Sequence, residues 1–149
     1  MILRNVFLAL IVIFLLMQFI RTSKNNSSLN TPTDITRVYP VPPDVVRLLR
    51  AACYDCHSDS SKYPVYFNIQ PVGWWMTYHI NNGKRHLNFS RFGNYTHTMA
   101  MHKFKQISRV VTKHQMPIAS YLWEHPEGRL TPMQIARIAS WADSLQTKP

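Results

Sequence analysis

The chain opens on a block in which apolar residues do not alternate with polar ones. Val6 to Ile20 reads VFLALIVIFLLMQFI, apolar except for Gln18, and counting back to Ile2 gives 19 residues that include Arg4 and Asn5. That is close to the roughly 20 residues a helix needs to cross a bilayer. The block ends in Phe19-Ile20-Arg21 with no small-x-small cleavage site, and no cysteine follows it. It is therefore expected to be a retained transmembrane anchor over 1–21 rather than a removed signal. Thr22 to Thr36 (TSKNNSSLNTPTDIT) is polar and aperiodic, which predicts a flexible tether over 22–37.

From 38 to 149 the pattern takes the period of a helix. After the stiff Val38-Tyr39-Pro40-Val41-Pro42-Pro43 segment, Asp44 reads as an N-cap. Val45, Val46, Leu48, Leu49 and Ala52 then share one face, with Arg47 and Arg50 turned away. A second helix is expected to start at Pro71, to carry Val72, Trp75, Met76, His79 and Ile80 on one stripe, and to stop at Gly83. A third is expected over about Thr96 to Lys113, with Ala100, Phe104, Ile107 and Val111 as its stripe and a stop before Met116-Pro117. The last is marked by Thr131-Pro132-Met133-Gln134, a capping box with proline at the first helical position, followed by Ile135, Ile138, Ala142 and Leu145 with Trp141 alongside. No segment sustains strand alternation. The expected architecture is an all-α domain of four helices and long loops, and loops of that length suit a fold whose core is completed by a large apolar cofactor.

Cys53-Tyr54-Asp55-Cys56-His57 holds the only two cysteines of the chain. Cys-x-x-Cys-His is the attachment signature of c-type haem, in which two thiols bond to the porphyrin and the histidine ligates its iron. A dithiol redox site would call for thioredoxin-like strands, which the pattern lacks. A structural zinc site would need four ligands, and the nominal pair His97 and His102 is the only supplement at a suitable spacing. Haem is the reading that uses every residue of the motif. The helix ending at Cys53 would pack its apolar face on the ring, and Tyr63, Tyr66 and Phe67 would line or cover the pocket.

His57 leaves the second axial position to be filled. Met116 is the leading candidate, because it sits in a loop, is followed by Pro117, and lies two helices downstream of His57. Met76, Met99, Met101 and Met133 fall on or near helices, where methionine usually fills core. His79, a titratable group on an apolar stripe, is the rival ligand, followed by His86. Lys84 and Arg85 are candidates to neutralise the haem propionates, with simple solvent exposure as the alternative. His57 should donate its other ring nitrogen to a backbone carbonyl, and the loop containing Pro64 and Pro71 is the nearest downstream source.

Charge adds a partner. The formal net charge is +10, and no Asp or Glu occurs between Asp59 and Glu124. Part of this is solvated helix surface. The remainder suggests steering of an acidic redox partner protein, or contact with anionic lipid. Nucleic acid does not suit an anchored, exported domain. Arg4 and the terminal amine nearly balance Arg21 and Lys24 under the positive-inside rule. The haem motif breaks that tie, since covalent haem is attached after export. The expected location is a bacterial inner membrane with the haem domain on the periplasmic side.

Five strings together resemble the small bacterial haem-binding domain family: VYPVP (38–42), CYDCHS (53–58), YPVYFNIQPVGWW (63–75), GKRHLNFSRF (83–92) and QMPIASY (115–121). With the closing helix that carries Trp141, the resemblance covers roughly Val38 to Trp141. Val65 departs from the aromatic expected inside YPxY, which bears on local packing. The resemblance implies one covalent haem c on Cys53 and Cys56 with His57 as ligand, and a cytochrome-c-like helical order that also favours Met116. It implies no particular reaction. An electron carrier is expected. The alternatives are a peroxidase-like enzyme or sensor with a labile sixth ligand, and a haem-binding module without turnover.

Overall fold

In the computed structural model, which describes residues 1–27 and 31–146, the apolar stripes become helices in the order α1 (Ile2–Met17), α2 (Ile35–Val38), α3 (Pro43–Ala52), α4 (Tyr54–His57), α5 (Val72–His86), α6 (His97–Thr112), α7 (Ala119–Glu124) and α8 (Pro132–Gln146). Three 3-10 turns, at Val65–Asn68, Phe89–Asn94 and Pro126–Gly128, connect them. The described residues contain one isolated β-bridge, between Asn26 and Ser60, so the all-helical expectation stands. Beyond the four domain helices and the helix of the apolar block, the structure adds three short ones, α2, α4 and α7.

The most extensive helix pair is α6 with α8, and the reason is visible in both sequences. Thr96 caps α6 by accepting from the Met99 amide at 3.3 Å. All four members of its stripe, Ala100, Phe104, Ile107 and Val111, are buried. The capping box of α8 forms in both directions, Thr131 N–H to Gln134 Oε1 at 2.8 Å and Gln134 N–H to Thr131 Oγ1 at 3.3 Å. Ile138, Trp141, Ala142 and Leu145 bury against α6 and α3. Aromatic rings extend the core: Tyr39, Phe92 and Phe104 meet with centroids 5.0–5.5 Å apart, and Trp141 closes it by donating to the Pro40 carbonyl at 3.1 Å. Asp44 lies inside the first turn of α3 rather than at its cap, where it pairs with Arg137 of α8, Nε to Oδ2 at 2.6 Å.

The expectation of a transmembrane anchor is overturned. The apolar block does form a helix, but α1 has 16 residues, about 24 Å at 1.5 Å per residue, against a hydrocarbon core of roughly 30 Å. No helix among the described residues is long and apolar enough to cross a membrane. The expected location, a bacterial inner membrane with the haem domain on the periplasmic side, required that anchor to hold the chain in the membrane and is overturned with it. The helix is short because the end of the block is engaged elsewhere. Gln18 exchanges two hydrogen bonds with the Gln70 backbone, at 2.9 and 3.1 Å, and Trp74 Nε1 donates to the Ile20 carbonyl at 2.8 Å.

The described part of the expected tether is likewise laid against the domain. Asn25 bonds Tyr63, Ser58 and Ser61 at 2.7–2.9 Å, Ser27 bonds the Asp59 carbonyl at 2.8 Å, and Thr31 and Thr33 both donate to the Ser90 carbonyl. Asp34 caps α2 and Ile35 is fully buried. Residues 28–30 of the expected tether and 147–149 of the expected domain lie outside the described residues.

Candidate functional site

The Cys-x-x-Cys-His motif sits at a bend. α3 ends at Ala52 and α4 begins at Tyr54, with Cys53 as the shared cap. The short helix is then held from three sides. The Tyr54 ring stacks on Phe89 at 4.9 Å and 8°, and its hydroxyl reaches the buried Asp34 carboxylate at 3.2 Å. The Tyr121 hydroxyl, from α7, lies 2.9 Å from Asp55 Oδ2 and 3.0 Å from the Ala51 carbonyl. On the third side α5 comes so close that a Cβ on Gly83 would stand 2.7 Å from the Cys56 carbonyl oxygen. Gly83 is therefore no helix stop, and α5 continues to His86.

That close approach orients His57. Its Nδ1 lies 3.0 Å from the Gly83 carbonyl and 3.1 Å from that of Leu87. Two carbonyls can only accept, so Nδ1 carries the proton and the lone pair of a neutral ring is on Nε2. Burial lowers the pKa of His57, the two carbonyl bonds oppose that, and the nearby His86 lowers it further. The result is a neutral imidazole with a free Nε2, the form that ligates a metal. The carbonyls come from the end of α5, not from the loop of Pro64 and Pro71.

Cys53 and Cys56 are free thiols. Burial pushes Cys53 up to about 12, with Cys56 contributing, and pushes Cys56 up to about 11, with Asp55 contributing. Reactive dithiol cysteines show the opposite shift, so the direction speaks against a redox dithiol.

Cys53, Cys56, His57 and Met116 all line one cavity of about 500 Å³, a size typical of cofactor sites. Leu87, Phe89, Ile107, Val110, Val111, Pro117 and Ile118 supply its apolar wall, and His79, His86 and Tyr121 also reach it. A smaller cavity of about 360 Å³ adjoins it across Cys56, His79, Ile118 and Tyr121. Trp75, Met76, His79 and Ile80 line this second cavity, so the expected stripe of α5 faces a hollow, and Val72 and Trp75 stay exposed. His79 packs edge-on against Trp75 at 4.4 Å.

Lys84 and Arg85 are not in the wall of the main cavity. Lys84 Nζ donates to Asn25 Oδ1 at 2.8 Å and Arg85 donates to Asn82 Oδ1 at 3.1 Å. Tyr63 and Phe67 pair with each other at 4.3 Å away from that cavity, and Tyr66 lines the smaller one.

A family model described as the haem-binding domain matches residues 12–144. The chain belongs to the haem-binding domain family. Comparison with curated proteins and with solved structures returns no match.

The residues in the cavity suit the group that names the family. Among the described residues no cluster of three or more His, Cys, Asp or Glu side chains is arranged to hold a metal ion, so a bare ion would lack ligands. Haem iron brings four nitrogens of its own and asks the protein for one or two ligands. An apolar cavity with one oriented histidine and one methionine meets that demand. In this haem-binding domain, His57, Cys53, Cys56 and Met116 are the residues that would hold the cofactor. Gly83, Tyr121, Gln106 and Arg109 also shape the site and were not read from the sequence. The one available signal was Gln106 and Arg109 flanking Ile107 on the stripe of α6.

Proposed function

We propose that this haem-binding domain is a monohaem c-type cytochrome. Cys53 and Cys56 would hold one haem covalently, His57 and Met116 would ligate its iron, and the protein would exchange single electrons with a partner protein of acidic surface. Haem iron supplies the one-electron chemistry, and a methionine ligand raises its potential.

The observation that carries this reading is the shared wall: both thiols, the Nε2-bearing histidine and the loop methionine border one apolar cavity. The chain's own part is to present Nε2 of His57 in the neutral state, to keep water from the apolar wall, and to keep the ligands in place. The surface of α6, with Lys103, Lys105 and Arg109 and no acidic residue, suits an acidic partner.

Three measurements test the proposal. Haem that remains on the polypeptide after acid-acetone extraction supports covalent attachment, and haem that is extracted rules it out. A low-spin spectrum in both redox states, indifferent to carbon monoxide and cyanide, supports electron transfer, whereas ready ligand binding favours an enzyme or sensor. Met116→Ala should abolish the low-spin spectrum and lower the potential. Survival of both would transfer the ligand role to His79, to be checked with His79→Ala.

A further inference from the structure

We propose that the guanidinium of Arg109 binds the carboxylates of the haem, so that the polar strip between α5 and α6 is the propionate end of the cavity. This rests on the haem reading above.

The wall of the cavity contains no Asp or Glu. Beside His57, His79, Gln115 and Tyr121, two polar pairs one turn apart reach the wall, Asn82 and His86 on α5 and Gln106 and Arg109 on α6. The apolar wall and this strip together match an amphiphile with a ring body and an anionic end. Arg109 is the only Lys or Arg in the wall. The basic residues nearest in sequence to the motif's carbonyl partners are already occupied, Lys84 by Asn25 and Arg85 by Asn82. No hydrogen bond or ion pair engages the Arg109 side chain among the described residues. An exposed arginine with no partner is ordinarily just solvated, as Lys105 and Lys113 of the same region are. Arg109 differs in bordering an apolar, acid-free cavity, where a guanidinium offers a planar bidentate match to a carboxylate.

The consequence is electrostatic. A cation beside a carboxylate favours its ionised form. With Arg109 in place the propionates stay ionised over the ordinary pH range, and reduction of the iron takes up little proton there. Without it the carboxylate pKa rises, and the ferrous state gains from protonation as pH falls. The other titratable groups bordering the cavity are His57, His79, His86, Tyr121 and, where not bonded to haem, Cys53 and Cys56, and they are common to all variants compared.

The test is a redox titration of the haem-loaded full chain from about pH 5 to 8, the range in which a carboxylate released from a cation begins to titrate. Wild type, Arg109→Ala, Arg109→Lys and the double variant Lys84→Ala/Arg85→Ala are compared. Arg109→Ala is expected to have a lower midpoint potential and a steeper pH dependence at the acid end. The added slope has a ceiling of tenfold in the ferric/ferrous equilibrium per pH unit, about 59 mV for one electron. Arg109→Lys should restore most of the flat profile, and the double variant should match wild type. An Arg109→Ala profile superimposable on wild type overturns the assignment, as does the effect appearing in the double variant instead. A wild-type chain that carries no haem overturns the parent reading and this one with it, so the two failures are separable.

Discussion

Gly83→Ala is the substitution on which helix propensity and site geometry disagree most sharply. Gly83 lies inside α5, where alanine is ordinarily favoured by about 1 kcal/mol. Here the added Cβ would stand 2.7 Å from the Cys56 carbonyl oxygen and 3.4 Å from the Cys56 Cβ. The obstacle is backbone, so no rotamer change relieves it. Restoring an ordinary 3.4 Å contact moves α5 and α4 apart by about 0.7 Å. Overpacking of this kind costs about 1–3 kcal/mol. The same movement stretches the His57 Nδ1 to Gly83 carbonyl bond, now 3.0 Å, past the distance at which it counts as a hydrogen bond, with a net loss of about 0.5–1.5 kcal/mol. Against the propensity gain, the balance is a destabilisation of about 1–3 kcal/mol, or a fall in Tm of about 4–8 °C near the middle of that range. Thermal unfolding followed by circular dichroism measures the stability. Haem content and the visible spectrum measure the seat of His57, which should be disturbed beyond what the Tm change alone produces. Asn81→Ala, an exposed position on the same helix, is the control and should stabilise slightly. A Gly83→Ala protein with a raised Tm and an unchanged haem spectrum would refute the close-approach argument.

Three further outcomes follow from the geometry. His114, with φ of 53°, occupies the left-handed position just past α6 that favours glycine, so His114→Gly should raise Tm by about 2–4 °C; a fall of that size would show that its side chain matters more than its backbone. Thr131→Ala removes one half of the capping box of α8 and should destabilise by about 1 kcal/mol in denaturant unfolding, with an unchanged midpoint as the contrary result. The Asp59 carboxyl is pushed up by burial, but hydrogen bonds from Arg91 and Asn88 and the charges of Arg91 and Lys84 leave it below its ordinary value. A carboxyl depressed in the folded state stabilises above its unfolded pKa, near 3.9, and the contribution disappears as pH falls through the lower folded value. The Tm gap between wild type and Asp59→Asn should therefore be widest near neutrality and shrink below about pH 4; a gap independent of pH would contradict this.

The sequence made legible whatever depends on neighbours one helical turn away. The stripe of α6 was readable because Ala100, Phe104, Ile107 and Val111 lie about one turn apart and are all buried on one side of the helix. The capping box of α8 was readable because both of its bonds lie within four residues. Contacts between distant segments were not readable. Gln18 meets Gln70 across 52 residues, and this engages the end of the apolar block that residue counting assigned to a membrane span. Asp44 looked like a cap because Arg137, 93 residues on, is invisible to local rules. At the site, the motif itself was plain, while the partners of His57 lie 26 and 30 residues away, on α5 and at its C-terminal cap. Gly83 was misread for the same reason: glycine at a helix end and glycine at a helix crossing look alike until the second helix is in view.

The two candidate ligands are held very differently, and this bears on what the site can do. His57 is fixed by two carbonyls and belongs to a helix pinned by Tyr54, Tyr121 and Gly83. Met116 is 36% exposed and stands on the loop after His114, where its amide reaches the Val110 carbonyl at a long 3.4 Å. Any exchange of ligand at this site would begin on the methionine side, because little besides Pro117 and the end of α6 has to move. The electron-carrier reading thus depends on the iron itself holding Met116, whereas His57 is in place before any cofactor arrives. Under the proposed function, that asymmetry would let the same residues serve either as a six-coordinate carrier or as a site that opens. It also makes the state of the methionine, rather than of the motif, the property that separates the two functions.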